Sequence, residues 1–222
     1  MFGDLESMKS SNYKISDVAE VNPKKDIIDD ETEVTFLPME RVGTDGSIDV
    51  TLVKKYKDVK KGFNHVKEND VLFAKITPCM ENGKSTIARN LKNGRANSTT
   101  ELFAIRCGAK VLPEYIFTII HSKAFRLIAE KNMTGTAGQR RVPKTFIEEF
   151  PINIPDIEFQ NEFAKFINLI DKLKFTKKEQ LLHCSFWSIF SPLLICFFSF
   201  PQLKIFLFSS VSISLTIISF TV

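Results

Sequence analysis

The chain has 222 residues, of which 44% are hydrophobic and 25% are charged, a composition that is typical of a globular protein and excludes general disorder. Its 30 Lys and Arg against 26 Asp and Glu give a formal net charge of only +4, which excludes a strongly basic polypeptide. None of its four cysteines lies in a CxxC pair, so the sequence contains neither a dense disulfide framework nor a recognisable zinc spacing.

The first half of the chain alternates short apolar runs with polar turns. Residues 1–12 are polar without periodicity, and we predict that they are disordered. Tyr13–Val21 predicts a short helix that is capped by Ser16 and ends at Asn22-Pro23. Strands are then predicted at Val34–Met39, Ile48–Val53, Asp70–Ile76, Ser85–Ala88 and Glu101–Arg106. Their regular spacing indicates a curved, mainly antiparallel sheet.

Helical patterns return after residue 112. Pro113 opens a segment in which Ile116, Ile120, Ala124, Leu127 and Ile128 recur at helical spacing. Thr134–Arg141 is a glycine-containing basic loop, Val142–Glu149 includes a short helix, and Pro151–Pro155 is extended. The sequence therefore predicts an α+β domain over residues 13–155, in which helices flank the sheet.

A heptad pattern follows this domain. Apolar residues recur with spacings of 4, 3, 4 and 3 at Phe159, Phe163, Phe166, Ile170 and Leu173. Such a seam is typical of a helix that packs along another helix. The next seam positions are Lys177 and Gln180, so the pattern stops early. We predict a truncated coiled-coil helix over residues 156–182.

The C-terminal residues 183–222 form a hydrophobic tail of different composition. Residues 185–222 contain one charged residue, Lys204, and eight of the 21 phenylalanines. Three interpretations stay open: a membrane segment, best placed at Leu203–Val222, a buried core element, or the product of a frameshift or an inversion in the gene. The first would make the protein membrane-associated through residues 185–222, and otherwise we expect a cytoplasmic protein.

The sequence shows no catalytic or metal-binding constellation. His65, His121 and His183 are far apart in the sequence and lack cysteine or carboxylate companions at metal-ligand spacing. No P-loop, GxGxxG, GxSxG or HExxH motif is present. We therefore predict no catalytic residue, no metal and no cofactor, and a protein that is not an enzyme.

Two polar segments carry residues that are typical of DNA binding. Within Lys75–Thr100 and Thr134–Lys144, Lys and Arg can neutralise phosphates, Asn and Gln can read adenine, and Arg can read guanine. The alternative is that both segments are solvated connections, because the net charge is small. The candidate DNA-binding residues are Lys75, Thr77, Asn82, Lys84, Arg95, Asn97, Ser98, Thr99, Thr136, Gln139, Arg140, Arg141 and Lys144.

The order of these segments resembles a target-recognition domain of the specificity (S) subunit of type I restriction–modification enzymes. Five segments over Tyr13–Leu173 occur in the order of that family. They are Tyr13–Pro23, Val66–Ala88, Asn97–Arg106, the helix after Pro113, and Gly135–Phe163. No segment is decisive alone, and the order makes the resemblance specific.

The resemblance implies a non-catalytic subunit that reads one half of a bipartite site in double-stranded DNA. It would position methyltransferase (M) and restriction (R) subunits, with Lys75–Lys84, Arg95–Thr100 and Gly135–Lys144 facing the DNA and Phe159–Leu173 docking the M subunits. Full subunits of this family have two recognition domains and longer spacer helices, so another S fragment would have to supply the second half. The alternatives are a non-functional truncated cassette and a binding domain that is tethered to a membrane by the tail.

Overall fold

A computed structural model of the chain describes residues 11, 13–136 and 138–169. The chain forms two compact units, Met1–Ile167 and Asn168–Val222, and only residues 168–169 of the second are described. The predicted disorder of residues 1–12 falls outside the described residues except at Ser11. The seam positions Ile170 and Leu173 and the hydrophobic tail 183–222 also lie outside them.

Ten strands and five helices make up the described fold. The strands are β1 (Tyr13–Lys14), β2 (Ala19–Val21), β3 (Glu33–Leu37), β4 (Val53–Lys55), β5 (Phe63–Lys67), β6 (Val71–Ala74), β7 (Ser85–Ile87), β8 (Arg95–Thr99), β9 (Leu102–Cys107) and β10 (Pro151–Ile152). The helices are α1 (Tyr56–Val59), α2 (Pro113–His121), α3 (Lys123–Lys131), α4 (Lys144–Glu148) and α5 (157–169). Short 3-10 helices span Ile15–Asp17, Met39–Arg41 and Lys92–Gly94.

Two four-stranded sheets form the centre of the first unit. The central sheet has the order β2-β9-β6-β7 and is antiparallel throughout. The outer sheet has the order β4-β3-β8-β5, in which β3 and β8 are parallel and the other pairs antiparallel. A further antiparallel pair joins β1 to β10. The predicted α+β class with mainly antiparallel strands is confirmed.

The central sheet is covered on both faces. Along β6, Val71 and Phe73 pack into a core shared with α2, α3 and α4, whereas Leu72 packs with Leu37 of the outer sheet. Strand β9 alternates in the same way. Successive side chains of a strand point to opposite faces, so a strand that is buried on both faces must be apolar at every position. The run VLFA of β6 meets this requirement.

Most of the predicted strands are present, and three predictions on the elements are wrong. Tyr13–Val21 is not a helix, because Ala19–Val21 pairs with β9 and leaves only Ile15–Asp17 helical. Ile48–Val53 is not a strand: the Asp49 carboxylate accepts hydrogen bonds from Thr51 N and Oγ1, at 3.0 and 2.7 Å, which turns the chain before β4.

The helical segment after Pro113 is two helices rather than one. Ser122 has extended dihedral angles and its Oγ accepts a hydrogen bond from the Phe125 backbone N–H, 3.2 Å away. A serine in this position is a helix N-cap, so it ends α2 and starts α3. Of the helices that the structure describes, none has both the length and the apolarity of a membrane span.

A buried histidine on β5 supplies a prediction for the pH dependence of folding. The His65 side chain is fully buried, neither ring nitrogen has a hydrogen-bond partner within the described structure, and Nε2 lies 3.7 Å from Asp26. Burial lowers the pKa of His65, and the nearby Arg106, Arg95 and Lys67 act in the same direction against Asp26. The folded protein therefore resists protonation that the unfolded chain accepts.

We expect the unfolding free energy of the full chain to fall as the pH is lowered below the ordinary histidine value of about 6.5. His65→Gln removes the titrating group, so this contribution to the pH dependence should disappear. Urea unfolding at pH 7.5 and pH 5 measures the effect, and His121→Gln is the control. An unchanged pH dependence in His65→Gln would contradict the assignment.

Candidate nucleic-acid interface

The first polar segment singled out above leaves the central sheet at the end of β6, next to the start of β9. Strand β6 ends at Ala74 directly opposite Leu102, the first residue of β9. The Lys75 backbone N–H donates to the Glu101 carbonyl oxygen at 3.0 Å. The chain that leaves β6 and the chain that enters β9 therefore emerge side by side.

Residues 134–141 form a hairpin. Thr134 and Arg141 exchange two backbone hydrogen bonds, of 2.9 and 2.8 Å, and the Gln139 N–H donates to the Thr136 carbonyl oxygen at 3.1 Å. Gly135 and Gly138 have φ values of +116° and +83°. Side chains with a Cβ atom rarely adopt such angles, so these two glycines permit the tight tip.

The hairpin is joined by its backbone to the segment 75–84. The Val142 N–H donates to the Lys75 carbonyl oxygen at 2.9 Å. The Thr77 backbone N–H and its Oγ1 both donate to the Arg140 carbonyl oxygen, at 3.1 and 3.0 Å. We call the segment 75–84 and the hairpin 134–141 together the paired-loop surface. The structure therefore brings the two predicted segments into one surface.

A buried side chain and several hydrogen bonds fix the backbone of the segment 75–84. Met80 is fully buried, and its backbone N–H donates to the Ile76 carbonyl oxygen at 3.0 Å. Arg126 of α3 donates to the Glu81 carbonyl oxygen at 2.7 Å, and the Lys84 ammonium donates to the Met39 carbonyl oxygen at 2.9 Å. Asn82 remains exposed. The backbone is thus fixed while a polar amide faces solvent.

Carboxylates contact both arginines of the hairpin. The Arg141 guanidinium makes hydrogen bonds of 2.9 to 3.1 Å to the two carboxylate oxygens of Glu101. These bonds lower the pKa of the Glu101 carboxyl and raise that of Arg141. Arg140 is held more loosely, since its Nη2 lies 3.4 Å from Glu81 and 3.9 Å from Glu130.

The remaining predicted residues of these segments lie at the rim of the surface. Thr136 and Gln139 are exposed at the hairpin tip. The Lys75 ammonium lies 5.3 Å from the centre of the Phe103 ring, and Lys144, the first residue of α4, forms an exposed pair with Glu148 at 3.1 Å. Exposed pairs of this kind exchange readily for other anions, because they contribute little free energy.

The prediction that Arg95–Thr100 is a loop facing DNA is wrong for most of its residues. Arg95–Thr99 forms strand β8 of the outer sheet. Asn97 and Ser98 are fully buried there, and the Asn97 amide donates to the Val59 carbonyl oxygen at 2.9 Å. Arg95 pairs with Asp26 at 2.9 Å at the far end of the strand. Thr99 and the exposed Thr100 directly precede Glu101, whose carbonyl oxygen accepts from Lys75 of the paired-loop surface.

The described residues of the predicted helix seam differ in burial. Phe163 is buried, with its ring 6.4 Å from that of Tyr115, and Gln160 beside it is also buried. Phe159 and Phe166 are 60% and 58% exposed. The spacing places all three residues within about 60° around the helix, so Phe163 is the side of this face that packs into the core of the domain, and the packing of the seam on another helix stays a prediction.

Residues 8–183 match the family model of the type I restriction modification DNA specificity domain. The chain belongs to this family. It is 42% identical over 164 residues to the type I restriction enzyme EcoAI specificity subunit of Escherichia coli, and 40% identical over 164 residues to the EcoEI specificity subunit of the same organism. These matches cover 71% and 72% of this chain but 28% and 27% of the relatives, so the chain spans less than a third of their length.

A solved structure shows the same fold for this specificity domain. The crystal structure of the HsdS subunit from Thermoanaerobacter tengcongensis superimposes with a TM-score of 0.57 at 19% identity. The match covers 75% of this chain and 43% of that one. The fold expected from the resemblance is therefore confirmed.

Sequence reasoning missed the acidic residues of the specificity domain that contact its arginines. Glu81 and Glu101 are distant in sequence from the hairpin, Glu130 lies four residues before it, and no spacing rule joins any of the three to its arginines. Within the described residues, no three His, Cys, Asp or Glu side chains form a group that could hold a metal ion.

Gly135 provides a test of the hairpin geometry. A Cβ atom at this position would lie 2.9 Å from the Gln139 carbonyl oxygen, whereas one at Gly138 would meet nothing within 4 Å. Both positions have positive φ, so Gly138→Ala is a matched control for backbone strain. We expect Gly135→Ala to speed amide hydrogen exchange at Thr134 and Arg141 by roughly tenfold or more over Gly138→Ala, because it opens the hairpin locally. Equal exchange in the two variants would contradict this description.

Proposed function

We propose that this chain is a sequence-specific DNA-recognition component of a type I restriction–modification system. In this role it reads one half of a bipartite target and has no catalytic activity of its own. The observation that carries the proposal is the paired-loop surface, which joins two polar segments on a chain of the DNA specificity domain family. The chain spans less than a third of the length of these relatives.

The paired-loop surface has the chemistry that duplex recognition needs. Lysine ammonium groups at its rim can neutralise phosphates, and a two-stranded hairpin fits the width of a major groove. At its tip, Gln139 and Arg140 are side chains that can form paired hydrogen bonds with adenine and guanine edges. The proposed DNA-facing residues are Lys75, Thr77, Asn82, Lys84, Thr99, Thr136, Gln139, Arg140 and Lys144.

The exposed face of α5 supports a role in subunit assembly. Phe159 and Phe166 are seven residues apart, so they lie on one side of the helix and leave two large aromatic side chains in solvent. We propose that this face contributes to docking the M subunits, which with the R subunits would carry the methylation and cleavage chemistry. The proposal places the chain in the cytoplasm with its DNA target.

Selection from a pool of random duplexes tests sequence recognition by the full chain. If the proposal is right, one sequence is enriched, and the affinity for it falls steeply as the salt concentration rises. Joint replacement of Gln139 and Arg140 by Ala should lower that affinity by roughly 10- to 100-fold, as expected when paired base contacts are lost. Lys75→Ala should weaken all sequences alike and reduce the salt slope by about one.

Lys57→Ala is the control for these variants, because Lys57 pairs with Glu31 beside the outer sheet. We expect it to leave both affinities unchanged. Failure to enrich any sequence would contradict the proposed function and favour a non-functional truncated cassette. Unchanged affinity in the Gln139 and Arg140 variant would remove the hairpin tip from the interface.

Joint replacement of Phe159 and Phe166 by Ser tests the docking face. Burial of even one phenylalanine contributes about 1.5–3 kcal/mol, so we expect co-purification with the M subunit to weaken by at least roughly tenfold. Ile157→Ser is the matched control, since Ile157 is 42% exposed on the same helix and lies about 160° around it from Phe159. Equal loss in both variants would contradict a docking role for this face.

A further inference from the structure

The two adjacent arginines of the hairpin occupy different environments. The Arg141 backbone is paired on both sides, with Thr134 within the hairpin and with Ile76 of the neighbouring segment. Its guanidinium binds Glu101 through two nitrogens and also donates to the Gln139 carbonyl oxygen at 3.2 Å. Arg141 is therefore bonded to the hairpin tip, to the segment 75–84 and to the residue that precedes β9.

The Arg140 backbone is held through its carbonyl oxygen, which accepts two hydrogen bonds from Thr77, but its guanidinium is held less firmly than that of Arg141. Successive side chains in an extended chain point to opposite sides, so Arg140 is turned away from Glu101 toward Glu81 and Glu130. Its shortest carboxylate distance is 3.4 Å, against 2.9 Å for Arg141. Both pairs are partly exposed, with side-chain exposures of 38% for Arg140 and 41% for Arg141, so they differ in geometry: the Arg140 contact is long, whereas the Arg141 contact uses two nitrogens and is directional.

We infer that Glu101 is a positioning residue for DNA recognition. Its carboxylate holds Arg141 as a structural clamp of the hairpin, and the Arg140 side chain is thereby presented to the DNA. This inference rests on the proposed function. It also assigns Glu81 the opposite role, that of a counter-ion that Arg140 must leave when it binds DNA. Arg141, although it carries the same charge as Arg140, then contributes through the shape of the hairpin and not through a base contact.

The inference predicts that two chemically identical substitutions, Glu101→Gln and Glu81→Gln, change the affinity for DNA in opposite directions. Charge alone predicts that removing either carboxylate strengthens DNA binding, because each repels phosphates. If Glu101 positions the hairpin, Glu101→Gln instead weakens binding to the selected sequence by roughly tenfold, since the base-reading side chains are displaced. Glu81→Gln strengthens binding to selected and scrambled duplexes alike, by about two- to fivefold, because it releases Arg140.

The experiment compares the full chain with its Glu101→Gln and Glu81→Gln variants on selected and scrambled duplexes. Hydrogen exchange at the Thr134 and Arg141 amides is measured without DNA, and we expect Glu101→Gln alone to accelerate it. In an Arg141→Gln background, Glu101→Gln should have no further effect on specific affinity, because the two residues act as one unit. Rescue by Glu101→Asp, which keeps the charge, would support the clamp.

The possible outcomes separate the inference from the proposed function. If the unaltered chain shows no sequence preference, the proposed function fails and the inference fails with it. If the chain does select a sequence and Glu101→Gln strengthens binding as Glu81→Gln does, the inference alone is overturned. It is also overturned if hydrogen exchange accelerates while specific affinity stays unchanged, because the clamp would then serve the fold only.

Discussion

Strands β6 and β9 lie at the middle of the central sheet and are buried on both of its faces. This double burial determines where the paired-loop surface can form. One face is covered by α2, α3 and α4 and the other by the outer sheet. A strand in this position has buried apolar side chains on both faces, so polar side chains that reach solvent lie only at its ends. Because β6 and β9 are antiparallel, the end of one and the start of the other coincide. The packing of apolar residues therefore places Lys75 beside Glu101, and the hairpin is attached at this same end of β6 by the hydrogen bonds that Arg140 and Val142 form with Thr77 and Lys75.

The arginine side chains of the paired-loop surface already form ion pairs with carboxylates of the same domain. Glu101 and Glu81 contact the two hairpin arginines, and other lysines of the domain are matched by nearby acids, such as Lys55 with Glu31. This pairing explains how a domain with a small net charge can carry a basic binding surface. Exposed ion pairs contribute little free energy, so they open readily. Where arginine and lysine side chains leave their carboxylates to bind an anionic partner, the local electrostatic potential becomes positive.

Local patterns predicted the parts of this protein in which neighbours in sequence determine the structure. The apolar run of β6, the glycine-containing basic loop and the α4 helix were all found from composition and spacing. Sequence could not show that Asn97 lies in a buried strand, where its amide nitrogen donates to the Val59 carbonyl oxygen 38 residues away. It also could not show the Glu101–Arg141 pair or the pairing of Ala19–Val21 with β9. Each depends on tertiary contacts that override local preference.

If the proposed function holds, the backbone pairing of the paired-loop surface has a consequence for how its DNA specificity can change over evolutionary time. The hairpin and the segment 75–84 are held by main-chain hydrogen bonds, by the buried Met80 side chain and by the Arg141 clamp. The positions Asn82, Thr136 and Gln139 contribute to that support through backbone atoms only, and their side chains are exposed. Replacement of these side chains would leave the scaffold intact, since surface substitutions away from packing and capping contacts cost little stability. A population of such genes could thus explore new target sequences through exposed tips alone, without first acquiring compensating changes in the core.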